Sequence, residues 1–99
     1  MADIVPDDVD EARLDAAVQV FKLLANPTRL RILQLLGTGK FNVNTIGARL
    51  GLEQPVVSHQ LIALKLHGLV TSEVAGKARY YSLVDPDVLT IIRAAGGLL

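Results

Sequence analysis

The chain has no cysteine and no tryptophan, and only two phenylalanines and two tyrosines among its 99 residues. Without cysteine there is no disulfide framework, no thiolate metal site and no thiol redox switch. With so few aromatics, a core must be built mainly from Leu, Val, Ile and Ala, and a composition that is 51% hydrophobic supplies enough of them. No apolar run approaches the roughly 20 residues of a membrane span. Residues 1–15 lack the basic-then-apolar order of a secretory signal. These absences predict a cytoplasmic protein with one small domain, a size at which pairing with a second copy often adds stability.

The formal net charge is zero, which argues against a polyanionic partner. Its distribution argues the other way. Asp3, Asp7, Asp8, Asp10, Glu11 and Asp15 place six of the ten acids at the start of the chain. Between residues 16 and 84 the only acids are Glu53 and Glu73, against eight bases, so that stretch carries +6. Phosphate affinity follows local placement more than the total. Charge alone does not separate this from an ordinary solubilising surface.

Residues 1–8 read as an acidic, flexible N-terminus, and residues 9–99 as one domain. From 9 to 25, Leu14, Ala17, Val18, Phe21, Leu24 and Ala25 recur at helical steps. Asn26-Pro27 is a cap followed by a first-turn proline, so a second helix is expected over 27–36, ended by Gly37-Thr38-Gly39. Asn44 is the expected cap of a short third helix over 45–50, closed by Gly51. A fourth helix is expected over 55–67, with Val57, Leu61 and Leu64 inward. The pattern then shortens: 69–74 and 78–83 read as strands joined at Ala75-Gly76-Lys77. Asp85-Pro86 repeats the cap-then-proline mark and opens a last helix to about residue 95. The fold class is therefore mainly α with a β-hairpin wing, in the order α-α-α-α-β-β-α.

The stretch from Asn44 to Lys65 carries the functional signal. A short helix, a tight glycine-containing turn and a longer helix form a helix-turn-helix, whose second helix enters the major groove of DNA. That helix opens with Gln54, Ser58, His59 and Gln60, whose side chains can donate to and accept from base edges. Lys77 and Arg79 near the hairpin tip suit the flanking phosphates. His59, as a DNA contact, would make affinity pH-dependent. Arg29 and Arg31 stay open between backbone contacts and a structural role. Apolar stripes at the two ends, Leu14/Val18/Phe21 and Val88/Ile91/Ile92, are the expected dimer faces.

Four blocks, at residues 24–33, 52–61, 68–70 and 76–83, resemble the ArsR/SmtB repressors. They read LANPTRLRIL, LEQPVVSHQL, GLV and GKARYYSL. The resemblance spans about residues 14–92. It implies a dimeric winged helix-turn-helix joined through its first and last helices, and a repressor that leaves DNA when a signal binds. It places DNA contacts on Gln54, Pro55, Ser58 and His59, with Lys77 and Arg79 in the wing. The chain departs from the family where a serine usually caps the recognition helix, since Glu53 stands there.

A second departure concerns sensing. The family's best-known signals are metals, and its cysteine pair falls here on Asn42 and Asn44, whose amides are poor ligands for soft ions. Asp85 and Asp87 occupy carboxylate and histidine positions on the last helix. The histidines expected three turns later are replaced by Ala95-Gly96-Gly97-Leu98-Leu99. Two acids at a helix start read more simply as a cap and a dipole-matched charge. His59 and His67 lie about 12 Å apart along one helix and cannot share an ion; His67 reads as a helix end. No metal site and no cofactor is expected.

An enzyme is not expected either. There is no Cys/His pair, no paired-His motif and no glycine-rich phosphate loop, and Ser58 and His59 point about 100° apart on a helix. The partners expected are duplex DNA carrying an imperfect inverted repeat and a second copy of the chain. The competing reading is a winged-helix protein-interaction module without DNA binding.

Overall fold

A computed structural model of the chain describes residues 10–99. The acidic segment read at 1–8, and Val9 with it, lie outside the described residues. Helix α1 runs Glu11–Leu24, and Asp10 caps it by accepting from the Arg13 backbone N–H at 3.2 Å. Helix α2, Pro27–Leu36, starts at Asn26, whose side-chain oxygen accepts from the Arg29 N–H at 3.1 Å. Pro27 fills a first-turn position where no N–H is needed, as its sequence context predicts.

The next segment differs from the sequence reading. Phe41–Asn42 forms a two-residue strand, β1, and helix α3 begins at once as Val43–Leu50. The cap of α3 is Asn42 rather than Asn44: its Oδ1 accepts from the Thr45 N–H at 2.8 Å. An N-cap side chain reaches the third residue of its helix. Asn42 is three residues before Thr45 and meets that spacing, whereas Asn44 is already helical.

Helix α4 spans Gln54–Leu66 and ends at His67, which is its C-cap. Strands β2 (Val70–Ala75) and β3 (Ala78–Leu83) then form the hairpin around Gly76-Lys77, in register from Val70↔Leu83 to Ala75↔Ala78. The third strand joins on the other side, Phe41↔Tyr81 and Asn42↔Tyr80, so the antiparallel order is β1-β3-β2. Helix α5 is Asp87–Gly96, and Asp85 accepts from the Asp87 N–H at 2.9 Å. The carboxylate of Asp85 thus serves as a helix-start acceptor.

The core lies where α2, α3 and α4 converge under the hairpin. Ile32 and Leu33 from α2, Ile46 from α3, and Val57, Leu61 and Leu64 from α4 are fully buried, with Val70 of β2 and Val88 of α5 beside them. Each such side chain contributes about 1.5–3 kcal/mol by leaving water. Val88 corrects one expectation. At 5% exposure it packs into its own protomer's core and is not available to a partner, while Ile91 stands 38% exposed and Ile92 is half-buried. Four apolar residues on α5 cover too wide an arc for one surface, and the core takes Val88.

The turn between α3 and α4 fixes the recognition unit. Gly51 closes α3 in the left-handed conformation (φ 67°), and the Gly47 carbonyl accepts from both the Gly51 N–H and, at 2.9 Å, the Leu52 N–H. Gly47 is also a point of close approach. A Cβ there would lie 2.7 Å from the Leu52 carbonyl oxygen, which is backbone and cannot rotate away. We expect Gly47→Ala to destabilise the domain by about 1–3 kcal/mol in urea unfolding. It should also weaken duplex binding beyond that loss, because the turn sets the angle of α4. Unchanged stability would show that the turn tolerates a wider crossing.

Candidate nucleic-acid interface

Helix α4 is buried along Val57, Leu61 and Leu64, which turns Pro55, His59, Ile62 and Leu66 to the outside. Only the first two turns of that outer stripe are suited to polar recognition. Ile62 and Leu66 are apolar and 68% and 79% exposed, so the polar side chains suited to base edges are Gln54, Ser58 and His59 at the N-terminal end, while Lys65 supplies a cation at the other end. Gln54, Pro55 and His59 are exposed, and Ser58 is half-buried. This end also carries the positive end of the helix dipole. Glu53 occupies the cap position with extended backbone (φ −71°, ψ 149°) but makes no side-chain cap bond. Its longer chain does not close the ring that serine or aspartate closes. Pro55 has no N–H, and the Val56 and Val57 N–H groups donate to the Glu53 carbonyl at 3.1 Å, which leaves the Gln54 N–H to meet an outside acceptor.

Gln60 is held differently from its neighbours. Its Oε1 accepts from Arg29 Nε at 2.6 Å, and the same guanidinium donates through Nη1 to the Leu23 carbonyl at 3.4 Å. Arg29 therefore ties the end of α1 and the start of α2 to the middle of α4. The open question about Arg29 is answered in favour of structure, while Arg31 is exposed. A contact over 31 positions leaves no trace in local periodicity.

The wing and the recognition helix face one another. Gln54, Lys77, Arg79 and Tyr81 line a cleft of about 280 Å³ together with Asn42 and Asn44. Gln54 and the two wing cations are thus brought to one place, with Ser58 and His59 on the adjoining turns. Asn42 and Asn44, which the sequence offers as a helix cap and as replacements for metal ligands, form the cleft's third wall. Lys77 is exposed at the hairpin tip, and Arg79 reaches back along β2 to donate to Ser72 Oγ at 3.1 Å. Lys65, at the end of α4, donates to that same hydroxyl at 2.7 Å. Neither Lys65 nor Ser72 stood out in the sequence, since a basic residue in the last turn of a helix is ordinary dipole matching.

A helix-turn-helix domain family model matches residues 24–73 of the chain. The HTH-type transcriptional regulator NmtR of Mycobacterium tuberculosis is 41% identical over 83 residues, which cover 81% of this chain and 69% of that protein. The fold superposes on the homodimeric winged helix-turn-helix DNA-binding domain of Mb0332 from Mycobacterium bovis, with a TM-score of 0.77 and 35% identity across 99% of this chain and 89% of that one. It also superposes on the antimony-specific transcriptional repressor AntR, at a TM-score of 0.81 and 32% identity over 99% and 87% of the two chains. The chain belongs to the ArsR/SmtB family of winged helix-turn-helix regulators.

Membership decides between the two readings left open by the residues. The ArsR/SmtB chain is a DNA-binding transcription regulator and not an enzyme, and the interaction-module reading falls away. The helical order, the hairpin wing and the helix-turn-helix at α3–α4 are those expected from the sequence. Among the described residues, no helix is long and apolar enough to cross a membrane.

Proposed function

We propose that this chain acts in the cytoplasm as a homodimeric repressor, reading an imperfect inverted repeat with one recognition helix per half-site. The observation that carries the dimer is the exposure of apolar side chains on α1 and α5. Leu14, Val18 and Phe21 are 52%, 47% and 57% exposed, and Phe21 joins Leu24, Leu30, Ile91 and Ile92 around an apolar groove of about 360 Å³. A second copy presenting the same stripe covers this surface, as a two-fold contact requires. Val88 is left out of that interface. Two-fold symmetry then places the half-sites about one helical turn apart.

In this reading Gln54, Ser58 and His59 meet base edges, and Pro55 shapes the first turn. Lys77 and Arg79 meet phosphates, and Gln60 acts mainly through Arg29 to hold α4. Replacing Ser58 and His59 together by alanine should reduce the preference for a selected duplex over a scrambled one by about tenfold or more, at about 1–3 kcal/mol per lost base contact. Replacing Lys77 and Arg79 should weaken both duplexes alike and flatten the salt dependence. Fluorescence anisotropy at several salt concentrations checks both. Equal losses on both duplexes from the Ser58/His59 pair would mean that another element reads the sequence.

The signal that releases the repressor is, in our reading, not a metal at the family's two usual positions. Asn42 offers an amide already engaged in capping α3, and the Asp85 carboxylate is engaged at the start of α5. Neither replaces a thiolate or imidazole for a soft ion. Titration calorimetry with zinc, nickel, cobalt and cadmium should show no tight stoichiometric binding. A tight isotherm that weakens in Asn42→Ala or Asp87→Ala would overturn this part of the reading.

A further inference from the structure

Two cations converge on one neutral hydroxyl. Ser72 Oγ accepts from Lys65 Nζ at 2.7 Å and from Arg79 Nη1 at 3.1 Å, so the two nitrogens lie less than about 6 Å apart. Like charges at that distance repel, and a serine oxygen carries no charge to offset them. The adjacent acid does not help. Glu73 is the next residue along β2, so its side chain leaves from the opposite face of the hairpin, where it pairs with Lys40. Glu53 sits at the other end of α4, about 18 Å away along the axis.

Arg79 also lines the cleft shared by Gln54 and Lys77, so the cation pair continues the surface that runs between α4 and the wing. Ser72 is half-buried, whereas both cations are exposed. An incoming anion therefore meets Lys65 and Arg79 first and finds the hydroxyl behind them, with its proton available to donate. A tetrahedral oxyanion accepts from all three groups at once and removes the repulsion. With a helix in the major groove and a hairpin beside it, the DNA strand bordering that groove passes between the two.

We infer that Lys65 and Ser72 join Arg79 in a clamp for one phosphate of that strand, which takes the contact of the wing arginine beyond the recognition turns to the far end of α4. The inference rests on the DNA-binding reading and extends its footprint to the far end of α4. The clamp carries no sequence information. It fixes how deeply the wing and the recognition helix seat on the duplex.

The test uses the full chain and a duplex selected from a random library by the wild-type protein. The dependence of log affinity on log salt is measured for wild type, Lys65→Gln and, as a surface control on α1, Lys22→Gln. Loss of one phosphate contact lowers the magnitude of the slope by about 0.9, or about fivefold in affinity near 0.15 M salt. Lys65→Gln should show this loss equally on selected and scrambled duplexes, and Lys22→Gln should keep the wild-type slope. A wild-type slope in Lys65→Gln, or the same loss in both variants, overturns the clamp. Salt-dependent binding by the wild type would leave the DNA reading intact in either case. A second arm follows the Ser72 amide by NMR. It should shift on adding duplex and not saturate with inorganic phosphate; saturation with phosphate and no response to duplex would assign the site to a free anion and overturn the proposal.

Discussion

The recognition unit depends on how closely α3 is allowed to approach the chain that leads into α4. The Gly47 carbonyl gathers the Gly51 and Leu52 N–H groups, and the missing side chain at Gly47 lets the Leu52 carbonyl come within 2.7 Å of where a Cβ would stand. That contact sets the angle at which α4 leaves the turn. Ile46, Val57, Leu61 and Leu64 then hold the angle by filling the space beneath it. This junction places the start of α4, with the Ser58 and His59 side chains proposed to meet base edges, and the edge of α4 against which the wing stands.

A second constraint links the reading head to the rest of the protomer. Arg29 donates both to Gln60 on α4 and to the Leu23 carbonyl at the end of α1, and α1 carries the exposed apolar stripe assigned to the dimer. The same side chain thus touches both the helix of that stripe and the recognition helix. In a dimer reading two half-sites, the distance between the helices is as important as their chemistry.

Much of this was legible because it is written locally. Asn26-Pro27 and Asp85-Pro86 mark helix starts, and the change from helical spacing to β-rich residues at Leu69 marks the wing. The positions of Val57, Leu61 and Leu64 gave the buried face of α4 directly. What escaped is set by contacts between distant segments. Phe41–Asn42 is too short to show a period and becomes a strand only because Tyr80 and Tyr81 lie beside it. Its pairing puts Asn42, not Asn44, at the cap of α3. Val88 shares the α5 stripe in sequence but is taken by the core, and nothing local to Gln60 reveals that its oxygen accepts from Arg29. Lys65 and Ser72 belong to different elements, and neither is unusual alone.

In the proposed dimer, two copies joined through α1 and α5 present two recognition helices at one fixed separation. Helical phasing tests it most directly. A duplex selected by the wild-type protein is rebuilt with about 5 bp, half a helical turn, inserted between its half-sites, and its affinity is compared with the parent and with a single half-site. The insertion should lower affinity to that of the single half-site, because the second helix then faces the wrong side of the DNA. Undiminished binding to the half-turn insertion would contradict it, since each domain would then be reading its half-site independently.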